Sequence, residues 1–132
     1  MTIQRPRYLV VVPRVPVRAL DRTAAFYTSM FGFVVSLQWP HTAPTFAMLE
    51  RDDARLQLYV MDDSAKCGAV ILNMEVTDAL AVHAQLKDRV TIEWGPEVYW
   101  YGRREFALRD PDENLVIVTE ETMEPVTSRE NV

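Results

Sequence analysis

Two stretches of the chain carry the same order of elements, and that repetition limits the fold more than any single motif. The first opens with the β-rich run Leu9–Val12, continued brokenly through Val15 and Val17. Pro13 and Pro16 cannot donate ladder hydrogen bonds, which predicts an edge or irregular strand. Asp21 stands where a helix cap belongs. Behind it Leu20, Ala24, Tyr27 and Phe31 recur at helical spacing and form one apolar face. Gly32 is a natural left-handed stop. Three strands are expected next, Phe33–Leu37, Thr45–Glu50 and Arg55–Met61, divided by the turn-rich stretches Trp39–Pro44 and Arg51–Asp53. In the last, Leu56, Leu58 and Val60 alternate with Arg55, Gln57 and Tyr59. After the polar linker Asp62–Gly68 the order returns. Ala69–Val76 reads as a strand. Asp78 or Thr77 caps a helix with Ala79, Val82 and Leu86 on one face. Extended runs follow at about Thr91–Trp94 with Val98–Trp100, at Arg103–Arg109 and at Leu115–Thr119.

Each half is therefore strand, helix, three strands. Such a half leaves one face of its sheet uncovered and needs a partner half. The pattern predicts an α+β domain of two tandem βαβββ modules, at about residues 8–62 and 69–121, forming a curved mixed β-sheet with helices on its outer face. The tail, residues 122–132, lacks periodicity, carries Pro125 and is expected to be mobile.

At 132 residues and 48% hydrophobic content the chain suits one compact domain, which excludes an enzyme with separate cofactor and substrate domains. The net charge of −5 is a poor match for nucleic acid or an anionic membrane and favours neutral or cationic small ligands. Cys67 is the only cysteine, so no intrachain disulfide forms. Free thiols suit a reducing compartment. No run approaches the roughly 18 apolar residues of a membrane helix, and Tyr8–Val12 is too short for a signal core. A cytoplasmic protein is expected.

Donors for a metal are sparse. His41 falls in a loop and His83 within the second helix, neither at ligand spacing from another His or Cys. Gln57, Glu75 and Glu105 remain on strands. Glu75 shares strand parity with Ile71 and Asn73, and Asn73, at a strand centre, is expected to be buried and in need of a partner. Cys67 has no neighbouring His to activate it. Met30, Met48, Met61 and Met74 read as core filler. Aromatic residues, by contrast, concentrate. Trp39 and Phe46 flank one loop, Tyr59 lies on the Arg55–Gln57 face, and Trp94, Tyr99, Trp100 and Tyr101 crowd the turn before the last hairpin. Such walls bind flat ligands by stacking and cations by their ring faces. Glu75 and Glu105 add a preference for positive charge. Arg103 and Arg104 read as a strand pair on alternating sides, with anion recognition by Arg104 as the functional alternative.

Three stretches carry a family resemblance. Ala19-Leu20-Asp21-Arg22-Thr23, with Phe26-Tyr27 and Phe31-Gly32-Phe33, is similar to the first helix of the vicinal oxygen chelate superfamily (glyoxalases, extradiol dioxygenases, bleomycin-resistance proteins). Asn73-Met74-Glu75-Val76-Thr77-Asp78 resembles its strand entering the second helix. Tyr101 to Leu115, with Asp110-Pro111-Asp112-Glu113-Asn114 in place of the usual D-P-D-G-N, resembles its final hairpin, where Asn114 is expected to take the left-handed turn position. The resemblance implies metal ligands at positions held here by Val12, Ile71 and Ile117, all aliphatic. It therefore points to the metal-free bleomycin-resistance branch, whose members are dimers with ligand grooves at the subunit interface. Val12-Pro13 before Val15-Pro16-Val17, and Tyr101-Gly102-Arg103-Arg104-Glu105-Phe106-Ala107-Leu108, are similar to stretches of that branch.

The expected function is thus a homodimeric, cofactor-free protein that sequesters a flat, cationic small molecule without catalysis. The candidate ligand-binding residues are Trp39, Phe46, Tyr59, Asn73, Glu75, Tyr99, Trp100, Tyr101, Arg104 and Glu105. The alternative is a glyoxalase- or dioxygenase-type metalloenzyme with an unconventional ligand set drawn from Glu75, Glu105 and Gln57.

Overall fold

A computed structural model describes residues 4–129. In the first module, strand β1 (Arg14–Val17) leads into helix α1 (Leu20–Phe31) and strands β2 (Val34–Trp39), β3 (Phe46–Arg51) and β4 (Ala54–Val60). A short 3-10 turn, Ser64–Lys66, joins it to the second module: β5 (Ile71–Glu75), α2 (Ala79–Leu86), β6 (Ile92–Tyr99), β7 (Arg103–Arg109) and β8 (Leu115–Glu121). The α+β fold of two βαβββ modules is as the sequence predicts. Each module forms a four-stranded mixed sheet, β1-β4-β3-β2 and β5-β8-β7-β6, in which the first strand runs parallel to the last and the other neighbours are antiparallel.

The apolar stripe of α1 packs as its spacing requires. Leu20, Ala24, Tyr27 and Phe31 are buried, with Val15, Val17, Leu49, Leu56 and Leu58 of the first sheet in the same core. Gly32 closes the helix at φ 71° and returns its N–H to Thr28 and Tyr27 carbonyls. On α2, Asp78 accepts a capping bond from the Ala81 N–H at 3.0 Å, and Ala79 and Leu86 are buried against Phe106, Leu108, Val116 and Val118. The helices thus cover one face of each sheet and leave the other uncovered.

Several expectations are corrected. The regular part of the first strand is Arg14–Val17, and Leu9–Val12 lies outside the sheet. Pro13 and Pro16 remove two ladder donors, and the apolar run before them pairs with no strand among the described residues. The cap of α1 is Ala19 with no side-chain bond, and Asp21 instead sits in the first turn. The two runs expected around Trp94 and Val98 form one strand, because register shifts beside Trp94 absorb Gly95 and Pro96 without ending it. Gly95 adopts φ +81°, and a Cβ there would stand 2.3 Å from the Glu105 carbonyl oxygen, so only glycine fits. In the last hairpin the left-handed residue is Glu113 (φ 74°) and not Asn114. Residues 122–129 form no regular element. Thr127 nonetheless donates its N–H to the Val98 carbonyl at 2.9 Å, and its hydroxyl accepts the Val98 N–H at 2.7 Å. The rest of the tail expected to be mobile, residues 130–132, lies outside the described residues.

One buried cluster joins the modules. The Asp112 carboxylate, fully buried, accepts from the Arg18 N–H (2.9 Å), from the guanidinium groups of Arg18 (3.4 Å) and Arg22 (3.3 Å), and from the Thr23 hydroxyl. Two residues earlier, Asp110 accepts the Tyr27 hydroxyl at 2.7 Å. It also holds its own turn through the N–H groups of Asp112 and Asn114. Asn114 in turn accepts the Val70 N–H at 3.0 Å. The hairpin of module two is therefore clamped onto the first helix of module one.

Removing the Asp112 carboxylate strands the Thr23 hydroxyl and the Arg18 N–H. Asp112→Ala should cost about 3 kcal/mol in urea denaturation, the scale of breaking a buried charged cluster. Thr23→Val should cost about 1–2 kcal/mol. Tyr27 gives a second test. Burial, then the nearby charge of Asp110, pushes its phenol well above the ordinary value of 10.0. The folded state therefore keeps Tyr27 neutral where the unfolded chain ionises. Its contribution is complete below pH 10.0 and is lost progressively as the pH rises above that value. Tyr27→Phe should flatten this alkaline fall, read as the slope of stability against pH.

Candidate functional site

The uncovered faces of both sheets carry the candidate residues, and strand register sorts them into rows. In the first sheet Trp39 pairs with Phe46, Phe46 with Tyr59 and Tyr59 with Pro16. Register partners point to the same face. An aromatic row, Trp39–Phe46–Tyr59, therefore crosses three strands on the side opposite α1. The neighbouring row places Gln57 beside Arg14 and Met48. Arg14 donates to the Gln57 side-chain oxygen at 2.9 Å, and its guanidinium lies 5.1 Å from the Phe46 ring centroid. The protein thus already places one cation over this aromatic face.

In the second sheet the corresponding face is mixed. Asn73, Ile117, Ala107 and Trp94 form one row, and Glu75, Thr119, Glu105 and Glu97 form the next. Tyr99 stacks on Tyr101 with ring centroids 5.7 Å apart, and Trp94 meets the edge of Tyr99 at the same separation. Tyr101 donates its hydroxyl to Glu105. Burial, then this bond to Glu105, raises the Tyr101 phenol above the ordinary range, so it donates at neutral pH. Arg103 reaches Glu75 at 3.0 Å. Trp100 sits in the exposed turn beyond and meets Tyr101 edge-on at 5.3 Å.

The ten candidate residues therefore separate. Trp39, Phe46 and Tyr59 share the first face. Asn73, Glu75, Glu105 and Tyr99 share the second, with Tyr101 and Trp100 at its rim. Arg104 does not join them: it points to the helix side of β7 and binds Glu120 at 3.2 Å and Glu124 at 2.7 Å. Asn73, expected to be buried, is exposed, because it lies on the edge strand β5 and faces the side without a helix. Cys67 is buried, which pushes its thiol up and away from nucleophilic behaviour. His83 packs edge-on against Phe106 at 5.1 Å. Sequence reading missed Thr119 and Arg14. Thr119 continues the period-two series Leu115, Ile117, Thr119, which was the available signal.

Two shallow concavities of the chain are lined by Gly32, Val34, Glu50, Arg51 and Asp52 and by Gly102, Glu121, Thr122 and Met123, with no aromatic side chain in either. Among the described residues no group of three or more His, Cys, Asp or Glu side chains converges on a metal-sized site.

The sequence matches the family model of the Glyoxalase/Bleomycin resistance protein/Dioxygenase superfamily over residues 8–118. The chain belongs to that superfamily. No curated protein matches its sequence. Among solved structures, TnmS3, an antibiotic binding protein from a Streptomyces species, is 23% identical with a TM-score of 0.74 over 90% of this chain and all of its own. The bleomycin-binding protein of bleomycin-producing Streptomyces verticillus, complexed with copper(II)-bleomycin, is also 23% identical, with a TM-score of 0.71 over 91% of this chain and all of its own. A lactoylglutathione lyase from Agrobacterium tumefaciens is 19% identical with a TM-score of 0.71 over 87% of this chain and 95% of its own. These likenesses establish the fold.

The residues of this chain do not fit the metal that superfamily enzymes hold. Two of the positions implied by the resemblance, Ile71 and Ile117, lie on the uncovered face of adjacent paired strands and offer only hydrocarbon. The third, Val12, precedes the first sheet. Aliphatic side chains cannot coordinate a divalent ion.

The Tyr101–Glu105 bond can be tested separately from any ligand. Tyr101→Phe leaves one oxygen of the buried Glu105 carboxylate without its donor. It should lower stability by about 1–2 kcal/mol, measured by urea denaturation.

Proposed function

We propose that this member of the superfamily is a metal-independent small-molecule binding protein. It sequesters a flat ligand, preferentially cationic, in an aromatic groove formed at a homodimer interface, without making or breaking a bond. The observation that carries this reading is the aromatic row Trp39–Phe46–Tyr59 on a sheet face that no helix covers. Aromatic faces with a few oriented polar groups suffice for equilibrium capture of planar molecules. The aliphatic residues at the implied ligand positions support binding over catalysis. Binding proteins with this fold, one for bleomycin and one described as antibiotic binding, support the ligand class.

The dimer reading has its own support. Tyr8, Leu9 and Val11 are 98%, 85% and 93% exposed in an apolar arm with no strand partner among the described residues. A contiguous exposed apolar segment of this kind marks an interaction surface. Two copies would cover it and set the uncovered face of one protomer against that of its partner, closing a groove that a single chain leaves open.

Native mass spectrometry should give a dimer mass. Titration with the planar cation acridine orange should show saturable binding that dialysis against a chelator leaves unchanged. Trp39→Ala with Trp100→Ala should weaken that binding about tenfold, the scale of losing one or two aromatic contacts. A monomer mass, or an affinity indifferent to both substitutions, would overturn the groove. An affinity that disappears with the chelator would restore the metalloenzyme reading.

A further inference from the structure

Register brings Glu75, Thr119, Glu105 and Glu97 side by side across all four strands of the second sheet, on the face without a helix. Neighbouring strands lie roughly 5 Å apart, so Glu75 and Glu105 flank Thr119 directly on this face. Two members of this row are tied within the chain: Glu75 to Arg103, and Glu97 to the Thr127 hydroxyl. The two central members are not comparably settled. Glu105 is only 6% exposed, yet its bond is to the neutral Tyr101 hydroxyl, and among the described residues it forms no ion pair. Of the two neighbouring arginines, Arg104 points to the other face and is taken by Glu120 and Glu124, and Arg103, on the same face as Glu105, is taken by Glu75. A buried carboxylate without a counter-charge is costly. Beside it, Thr119 is 5% exposed and its hydroxyl has no hydrogen-bond partner. An orphaned buried hydroxyl next to a carboxylate without an ion pair is an arrangement that a ligand would complete.

We infer that this row receives the protonated primary amine of the ligand, a deepening of the function proposed above and resting on it. A primary ammonium has three N–H donors and no acceptor. Glu105 and Thr119 offer two acceptor oxygens side by side, Glu75 adds a third when the ammonium takes the place of the Arg103 guanidinium, and the ammonium gives Glu105 a direct ion pair. The adjoining Tyr99–Tyr101 stack and Trp94 provide the flat surface on which a ring attached to that amine lies. A quaternary ammonium cannot use the row, because it has no N–H. A neutral hydroxymethyl group donates once and brings no charge.

The test uses the full chain and three naphthalene probes that differ only in the substituent: aminomethyl, trimethylammoniomethyl and hydroxymethyl, titrated by calorimetry. The amine should bind about tenfold tighter than either analogue, the usual gain of charge-assisted over neutral hydrogen bonding. Glu105→Gln should erase that preference while leaving the melting temperature unchanged or higher, since it neutralises a buried charge. Thr119→Val should also raise the melting temperature and weaken the amine about threefold, because it removes an unpaired hydroxyl from the free protein and an acceptor from the complex. A merely structural role for either residue predicts the reverse sign on melting. Equal binding of all three probes overturns the amine site and leaves the aromatic groove standing. Equal binding of the two cations assigns the preference to the aromatic rings and likewise overturns it. Failure of all three to bind overturns the groove as well.

Discussion

The Asp112 carboxylate is the contact on which the arrangement of the two modules depends. It is fully buried, and its donors come from the entry to and first turns of α1, in the other module. A buried carboxylate with this many donors is stable only while the donors stay in place, so the clamp is close to all-or-none. It also explains why two distant motifs occur together. Arg22 and Thr23 of the helix and Asp110 and Asp112 of the hairpin are the two halves of one joint, with Tyr27 and Asp110 as its second contact. The hairpin is specified for its carboxylates as much as for its turn, which is why the turn tolerates Glu113 in a left-handed conformation that glycine would adopt at lower cost.

Since the joint is made through α1 and the hairpin, it leaves the uncovered sheet faces out of the contact. The two faces then diverge in chemistry. One presents aromatic rings with its own arginine laid over Phe46. The other presents carboxylates, a threonine hydroxyl and a stacked tyrosine pair. Arg14 matters here, because a cationic ligand approaching the first face must displace or avoid a guanidinium already held by Gln57. The positive end of such a ligand is better accommodated by the acidic row, and its flat body by either set of rings. The proposed preference for a cation thus rests on the division of labour between the faces rather than on the net charge of the chain.

The repeat, both helices and most strands were legible because period-two and period-3.6 patterns survive in the sequence wherever one face is buried. The failures share a cause. Leu9–Val12 has the composition of a strand, but a strand also needs a partner, and nothing in the sequence says where that partner is. Gly95 and Pro96 read as a break because their effect on β6 is a bulge, visible only once β7 is beside it. Asn73 read as buried because strand centres usually are, and its exposure depends on which face the helix covers. Arg104 and Glu105 are neighbours in sequence and opposites in space, as strand alternation requires, so the two cannot share one face of the sheet. Thr119 gives no signal in the sequence because its significance is relational: it lies between two glutamates that are far apart in the chain.

Replacing metal ligands by aliphatic residues changes what the scaffold can contribute energetically. A divalent ion concentrates interaction energy at one point and polarises substrate oxygens there. Ile71 and Ile117 can offer only dispersion and excluded water, which are spread over area and act equally on a ligand throughout its stay. Interactions of that kind hold a molecule without lowering a barrier, since uniform binding stabilises ground state and transition state alike. In the proposed binding role, directional recognition comes from elsewhere on the same face. The row one step along the strands, with the buried Glu105 carboxylate and the unpartnered Thr119 hydroxyl, is where the second sheet still has polar groups whose interactions are incomplete.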